Sequence, residues 1–236
     1  MKKSTTMALL IAVLAMCFST TAFAERTSSQ PPSRIAFSID APVPIGNSEF
    51  STFMYDKFQM TTPNIFIGGG LSFGAHFTES RRWLWEIGAN FRHSYRSSNN
   101  ITRSWNQNTA FLTFSYAIID NNWFRLSPFA GAILIEDRLY YADMREIGDL
   151  DNISDVLETS FLQLNLNQWG IGGEFGLRFD FFVVERRARP FNPHLSAFIK
   201  WEQGFFSSYW RIERFAMRDI PKFQHGTLSI GIGMGF

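Results

Sequence analysis

The sequence predicts an all-β protein, an antiparallel up-and-down β-barrel that crosses a membrane with eight strands. Strict apolar/polar alternation with a period of two recurs in eight segments. Aromatic residues make up 17% of the chain, with 26 phenylalanines, and they need an apolar environment. Beyond the first 24 residues, no stretch approaches the ~20 apolar residues of a spanning helix. A closed sheet is then the membrane solution, because an open edge would leave backbone groups unpaired in lipid. Ten strands remain the alternative.

Residues 1–24 have the pattern of a cleaved signal peptide. Two N-terminal lysines precede an apolar run from Met7 to Phe18, and an A-x-A cleavage site ends at Ala24. Cys17 is the only cysteine, and the Met16 before it disfavours lipidation there. We therefore expect an exported chain without disulfides or cysteine metal sites, consisting of a short periplasmic segment at 25–33 and a barrel domain at 34–236. The net charge of +1 gives no reason to expect a nucleic-acid partner.

The expected strands each place one apolar set outward. They cover residues 35–41, 65–77, 83–95, 111–118, 123–135, 169–181, 194–202 and 227–236. Aromatic residues near the strand boundaries, namely Trp83, Trp85, Tyr95, Trp169 and Trp201, are typical of the two interfacial girdles of a membrane barrel.

The links between these strands alternate in length. Short links are expected at 78–82, 120–122 and 184–190, and long links at 42–64, 96–107, 136–167 and 204–224. Short periplasmic turns and long extracellular loops alternate in this way when both termini lie in the periplasm.

The chain closes with TLSIGIGMGF, a strand with one apolar face. That face consists of Leu228, Ile230, Ile232, Met234 and Phe236. It resembles the C-terminal assembly signal of bacterial outer-membrane β-barrels, which their assembly machinery reads. Together with the eight alternating segments, it makes the mature chain similar to the small eight-stranded barrels of the OmpA/OmpX-like superfamily.

This resemblance implies a place in the outer membrane of a Gram-negative bacterium. The implied roles are envelope stability, adhesion and surface binding, with contacts to outer-membrane lipids including lipopolysaccharide and to host, phage or envelope proteins. The resemblance brings no catalytic motif and no cofactor with it. A lipid A-modifying enzyme and a narrow pore are the two alternatives.

The inward phase carries charges of both signs. Five acids face four bases, and a near-neutral interior favours a closed, salt-bridged barrel, since eight strands leave room only for side chains. The expected network comprises Glu86, Arg92, Arg125, Glu174, Arg178, Lys200 and Glu202. Counting back from a turn near Arg187 places Glu174 opposite Lys200 on the adjacent strand.

The enzyme alternative needs a histidine with an in-phase hydroxyl or acidic partner at the height of the outer leaflet. His93 lies at that height, but Ser94 beside it points to the opposite face. We predict no catalytic residue.

Two loops are candidates for binding. The third, residues 136–160, is acidic; its DLDNISD segment suggests calcium but lacks the glycine and the terminal glutamate of an EF-hand loop. No metal site is predicted. The fourth loop mixes cations with aromatic rings. Its Arg211, Arg214, Arg218 and Trp210 are candidates for binding lipopolysaccharide phosphates or a surface protein. Alternatively, this loop folds over the barrel mouth.

Overall fold

The computed structural model describes residues 33–45, 48–58, 65–76, 82–98, 101–143, 162–183, 193–212, 215–218, 220–223 and 226–236. Almost all of them lie in strands. The elements are β1 (Ser33–Pro44), α1 (Ser48–Phe58), β2 (Ile67–His76), β3 (Trp83–Ser98), β4 (Ile101–Tyr116), β5 (Ile119–Asp120), β6 (Phe124–Asp143), β7 (Leu162–Phe182), β8 (His194–Ser207), β9 (Trp210–Ile212), β10 (Phe215–Met217) and β11 (Gly226–Gly235).

Eight of these strands form a closed antiparallel barrel. They pair in the order β1, β2, β3, β4, β6, β7, β8 and β11. The ring closes between β11 and β1, from Ala36 opposite Gly235 to Pro44 opposite Thr227. The short strands β5, β9 and β10 extend the ends of the sheet. The predicted fold and strand number are confirmed.

The outer surface of the barrel is apolar over the height of a membrane. Phe37, Phe175 and Ile232 expose 52%, 59% and 66% of their surface. The residues that precede them on their strands, Ala36, Glu174 and Gly231, are in the other phase and are buried inside the barrel. Apolar side chains outside and polar side chains inside are the arrangement of a barrel in lipid. Among the described residues, no helix is long and apolar enough to span a membrane.

Several strands are longer than the sequence pattern predicts. The expected long link at 96–107 is wrong, because β3 runs to Ser98 and β4 starts at Ile101 in a continuous ladder. Residues 136–143 and 162–167, also expected in a loop, belong to β6 and β7. The reason is that apolar side chains no longer mark the outward face above the membrane, so the pattern used to recognise strands ends there.

Glycines on the inward phase make room for large inward side chains. A Cβ at Gly231 would collide with the ring of Phe198, and one at Gly235 would collide with the ring of His194. The interior of an eight-stranded barrel is just wide enough for side chains, so a large residue on one strand requires a small one beside it.

Candidate functional site: the barrel interior and its mouth

A first cluster of charges fills the periplasmic half of the interior. Arg34 lies 3.2 Å from Asp180 and 3.4 Å from Glu86. Arg178 forms a second ion pair with Glu86, and Ser196 Oγ donates to Asp180 at 2.7 Å. All of these residues are buried. The cluster joins β1, β3, β7 and β8 across the lumen, so it braces opposite walls of the barrel.

Arg125 forms a smaller group at the periplasmic end. Its Nε lies 3.1 Å from Asp120 on β5, and its Nη1 lies 3.4 Å from His76 Nε2. Asp120 comes from the predicted short turn, so the turn itself supplies the partner of an inward base.

A second cluster lies nearer the extracellular side. Arg92, with a fully buried side chain, donates to Asp40 and to Glu202, each at 2.7 Å. Lys200 Nζ lies 2.9 Å from Glu174 and 2.8 Å from Glu202. Two cations thus hold three carboxylates together. Every residue of the predicted interior network is buried, and the interior is salt-bridged.

The predicted pair of Glu174 and Lys200 exists, but its predicted register is wrong. Glu174 lies directly opposite Glu202, and Lys200 lies opposite Gly176. The pairing from Phe182 opposite His194 to Gly172 opposite Gly204 is centred on position 188, one residue beyond the centre that the count assumed. A bulge between β7 and β8 shifts the register only farther along, between Ile171 and Gly172. Lys200 therefore reaches Glu174 diagonally and separates two carboxylates that face each other directly.

A cavity of about 80 Å³ lies between the two clusters. Glu86 and Arg178 line one side, Glu174 and Lys200 the other, and the ring of Phe111 contributes an apolar wall. A volume of this size holds a few water molecules. In a low-dielectric interior, paired charges around such a space are costly to separate, so these ion pairs help the interior to hold its shape.

Above the ion pairs, apolar residues fill the mouth of the barrel. We call this cluster the aromatic cap: Phe50, Met54, Phe66, Trp105, Leu139, Tyr141, Leu166, Trp210, Ile220 and Phe223. The ring of Phe50 on α1 stacks on Trp210 at 5.3 Å and meets Trp105 edge-on at 5.5 Å. Trp105 Nε1 donates to Asp137 and Trp210 Nε1 donates to the Pro221 carbonyl, so both indoles are satisfied.

The aromatic cap corrects one predicted surface residue. Trp210 is completely buried and packs into the barrel mouth, so it presents no surface for a ligand. Arg211 and Arg218 are exposed, and Arg214 lies outside the described residues. The fourth loop therefore divides its side chains, with the indole inward and two of its cations outward.

The other predicted residues lie as follows. Ile230, Ile232, Met234 and Phe236 are exposed on the outer face of β11, and Leu228 is half-buried on the same face. The signal-peptide and acidic segments, at 1–24 and 144–160, lie outside the described residues. Within the described ranges, no group of three or more His, Cys, Asp or Glu side chains is placed to hold a metal ion.

His93 has a polar, non-acidic environment. Its Nδ1 lies 2.7 Å from Asn106 Oδ1, and its ring stacks beside Tyr95 with 6.2 Å between centroids. An amide neighbour orients the imidazole but supplies no negative charge to stabilise an imidazolium.

Two functional features were missed by sequence reasoning. Arg34 is an inward base that precedes the expected start of the first strand, and extending the alternation backwards from Ile35 by one residue would have found it. Helix α1 lies within a segment read as a loop. Phe50, Phe53 and Met54 have the i, i+3, i+4 spacing of an apolar helix face, so a signal was present.

The closed sheet, the apolar belt and the polar interior together define an eight-stranded β-barrel with the arrangement of a barrel that spans a lipid membrane. Several solved structures share this form. The N-terminal β-barrel domain of OprF from Pseudomonas aeruginosa is 10% identical, with 88% of this chain and 99% of that chain covered and a TM-score of 0.37. The attachment invasion locus protein Ail of Yersinia pestis is 12% identical, with coverages of 89% and 100% and a TM-score of 0.41.

Neisserial surface protein A is 13% identical, with 87% of this chain and 97% of that chain covered and a TM-score of 0.45. No protein-family model and no curated protein matches the sequence.

Proposed function

We propose that this outer-membrane barrel does not conduct and serves envelope stability, adhesion or surface binding through its extracellular side. The main support for the proposal is that two different groups of side chains fill the barrel, one above the other. Two ion-pair clusters occupy the lumen at membrane height, and the aromatic cap covers them. A permeation path would have to break both, and separating buried ion pairs costs several kcal/mol per ion.

The surface-binding part of the proposal rests on the extracellular rim. Arg211, Arg218 and Lys222 are exposed there, beside exposed aromatic rings. Cations among aromatic side chains suit phosphate groups and protein partners, because charge-assisted hydrogen bonds and ring contacts act together. Arg214 remains a candidate member of this group.

The narrow pore is the weaker alternative because the described interior has paired charges and a cavity that holds only a few waters. The lipid-modifying enzyme is also weaker, since His93 is bound to an amide and stacked on a tyrosine. Neither alternative explains why the mouth is closed by a packed apolar cluster.

Two measurements separate these three classes. Purified protein in planar bilayers reports conductance, and lipid A mass spectra from cells with and without the protein report lipid modification. We expect no steady channel and identical lipid A spectra. Defined single-channel steps would replace the proposal by the pore, and a lipid A species that depends on the protein would replace it by the enzyme.

A further inference from the structure

A row of outward polar residues lies just above the apolar belt on one side of the barrel. The register places Arg138 on β6 opposite Asn167 on β7, and Asn167 opposite Arg211 on β9. Adjacent strands are 4.7–4.9 Å apart, so the two arginine Cα atoms are separated by about 10 Å. Two long side chains with this spacing can reach the same small anion or two neighbouring ones.

The surface directly below this row is apolar and faces lipid. Trp169 and Ile171 on β7 are exposed, at 37% and 53%. The bulge in the pairing of β7 with β8 places the adjacent Phe205 and Phe206 together on the outer surface. Their side chains are exposed, at 77% and 62%. The Phe205 ring lies over Gly173, where a Cβ would approach it to 3.2 Å. Glu136 lies opposite Trp169 at the upper edge of this surface, where it is paired with Arg138, and the apolar side chains below it can receive acyl chains.

A third cation completes the group from the segment that follows β10. Lys222 Nζ lies 4.4 Å from the ring centroid of Tyr209 and 5.7 Å from that of Phe206. Lys222 is exposed, and the two rings hold its ammonium group over the lipid-facing side of β8.

The charge balance of this group is positive. Arg138 forms an ion pair with Glu136 at 2.6 Å and still exposes 46% of its side chain. Arg211 has no acidic partner within the described part of the chain. Among the described residues, the ion pairs of this group thus set one carboxylate, that of Glu136, against three cations.

From this geometry we infer that Arg138, Arg211 and Lys222, above Trp169, Phe205 and Phe206, form a site for a phosphorylated lipid headgroup of the outer leaflet. We call it the rim site. The cations bind the phosphate by charge-assisted hydrogen bonds, and the aromatic surface receives the acyl chains. The inference deepens the proposed surface-binding function and names its ligand class.

The test uses the purified full-length barrel in detergent micelles, titrated with diphosphorylated lipid A and monitored by native mass spectrometry. The double variant Arg211→Gln/Lys222→Gln removes two cations and leaves the Arg138 pair intact. We expect roughly tenfold weaker binding, the equivalent of one lost charge-assisted contact. Wild-type protein should bind dephosphorylated lipid A as weakly as the variant binds the phosphorylated form.

Arg82→Gln is the matched control, since Arg82 is an exposed cation at the periplasmic rim, where it donates to the Tyr116 hydroxyl at 3.3 Å. It should bind lipid A like the wild type. Equal lipid A binding by the wild type and the double variant would overturn the rim site. A loss of binding in Arg82→Gln as large as that in the double variant would also overturn it. Displacement of lipid A by low millimolar inorganic phosphate would show a free-anion site and overturn the assignment to a headgroup. None of these outcomes bears on conductance, so the closed interior is tested separately.

Discussion

The inward side chains of the barrel have opposite polarity at two heights, at membrane height and in the aromatic cap above it. At membrane height the inward side chains are charged, as Glu174 and Arg178 on β7, while Phe175 faces outward. Higher on the same strand, Leu166 is buried and Asn165 is exposed. The strand keeps its alternation throughout, but its polarity inverts.

The same inversion occurs on the neighbouring strands. On β6, Leu134 is exposed at membrane height, whereas Leu139 is buried in the aromatic cap and Arg138 beside it is exposed. On β4, Leu112 faces outward and Trp105 inward. Lipid requires apolar groups outside, and water requires them inside. The height at which polarity inverts therefore marks the membrane surface.

The largest expected effect is at Lys200, which separates two carboxylates. Lys200→Met should lower the free energy of unfolding by about 3–5 kcal/mol, because Glu174 loses the ammonium group it is paired with and Glu202 keeps its pair with Arg92. Urea unfolding in liposomes measures it. The exposed Lys222→Met is the matched control and should stay within about 0.5 kcal/mol.

A paired replacement sharpens this result. Replacing Glu174 and Lys200 together by leucine should recover much of the loss, since the orphaned carboxylate disappears. Equal costs for the Lys200→Met and Lys222→Met variants would contradict the buried-pair account.

The next effect concerns the aromatic cap. Phe50→Ala should cost about 3 kcal/mol, the lower range for a buried aromatic ring, and the loss should be confined to the extracellular side. Limited proteolysis of the folded, heat-modifiable protein should show faster cleavage there. Phe205→Ala, the same change at an exposed ring, is the control. Complete loss of the folded barrel in Phe50→Ala would show that the two regions do not form separately.

A third prediction tests the outer face. Phe175→Arg should cost about 2–4 kcal/mol because Phe175 lies midway along the lipid-facing part of β7, while Tyr95→Arg, above the membrane, should cost about 0–1 kcal/mol. Unfolding in liposomes compares the two. A larger cost at Tyr95 than at Phe175 would be incompatible with the membrane height derived from the polarity inversion.

The smallest effect on stability is expected at Phe236. Phe236→Asp should change the folded barrel by about 0–1 kcal/mol, since the residue is at an interface. We propose that it lowers the amount of assembled barrel in the outer membrane, because the assembly machinery loses its aromatic signal. The fraction of heat-modifiable protein reports this. Val183→Asp, an equivalent change at the same end, should assemble normally; equal levels of both variants would remove Phe236 from the signal.

The sequence was sufficient to predict the barrel at membrane height, because the apolar/polar alternation that marks each strand lies within one short segment of the chain. Apart from Arg34, the inward charges of the two ion-pair clusters were identified from their own strands, as with Arg92 and Glu86. The partners of these charges were not predictable in the same way, since Arg34 and Asp180 meet across the lumen and Lys200 reaches Glu174 diagonally. The register between strands sets these contacts, and it is not contained in one strand's pattern.

The aromatic cap was missed for a related reason. Its residues come from α1, the residue before β2, β4, β6, β7, β9 and the segment after β10, so no single strand pattern contains the cluster. Leu164 and Leu166 lie in the phase opposite to Trp169, because β7 continues upward past Trp169 with its polarity inverted.

The closed interior is tested most directly by single-channel recording of the wild type beside the double cap variant Phe50→Ala/Trp210→Ala. The ion pairs below the aromatic cap do not depend on these rings, so the account predicts silent bilayers for both proteins, each shown to be folded by heat modifiability. Steady conductance in the wild type would contradict the closed barrel. Conductance only in the double variant would show that the aromatic cap, and not the ion pairs, closes it.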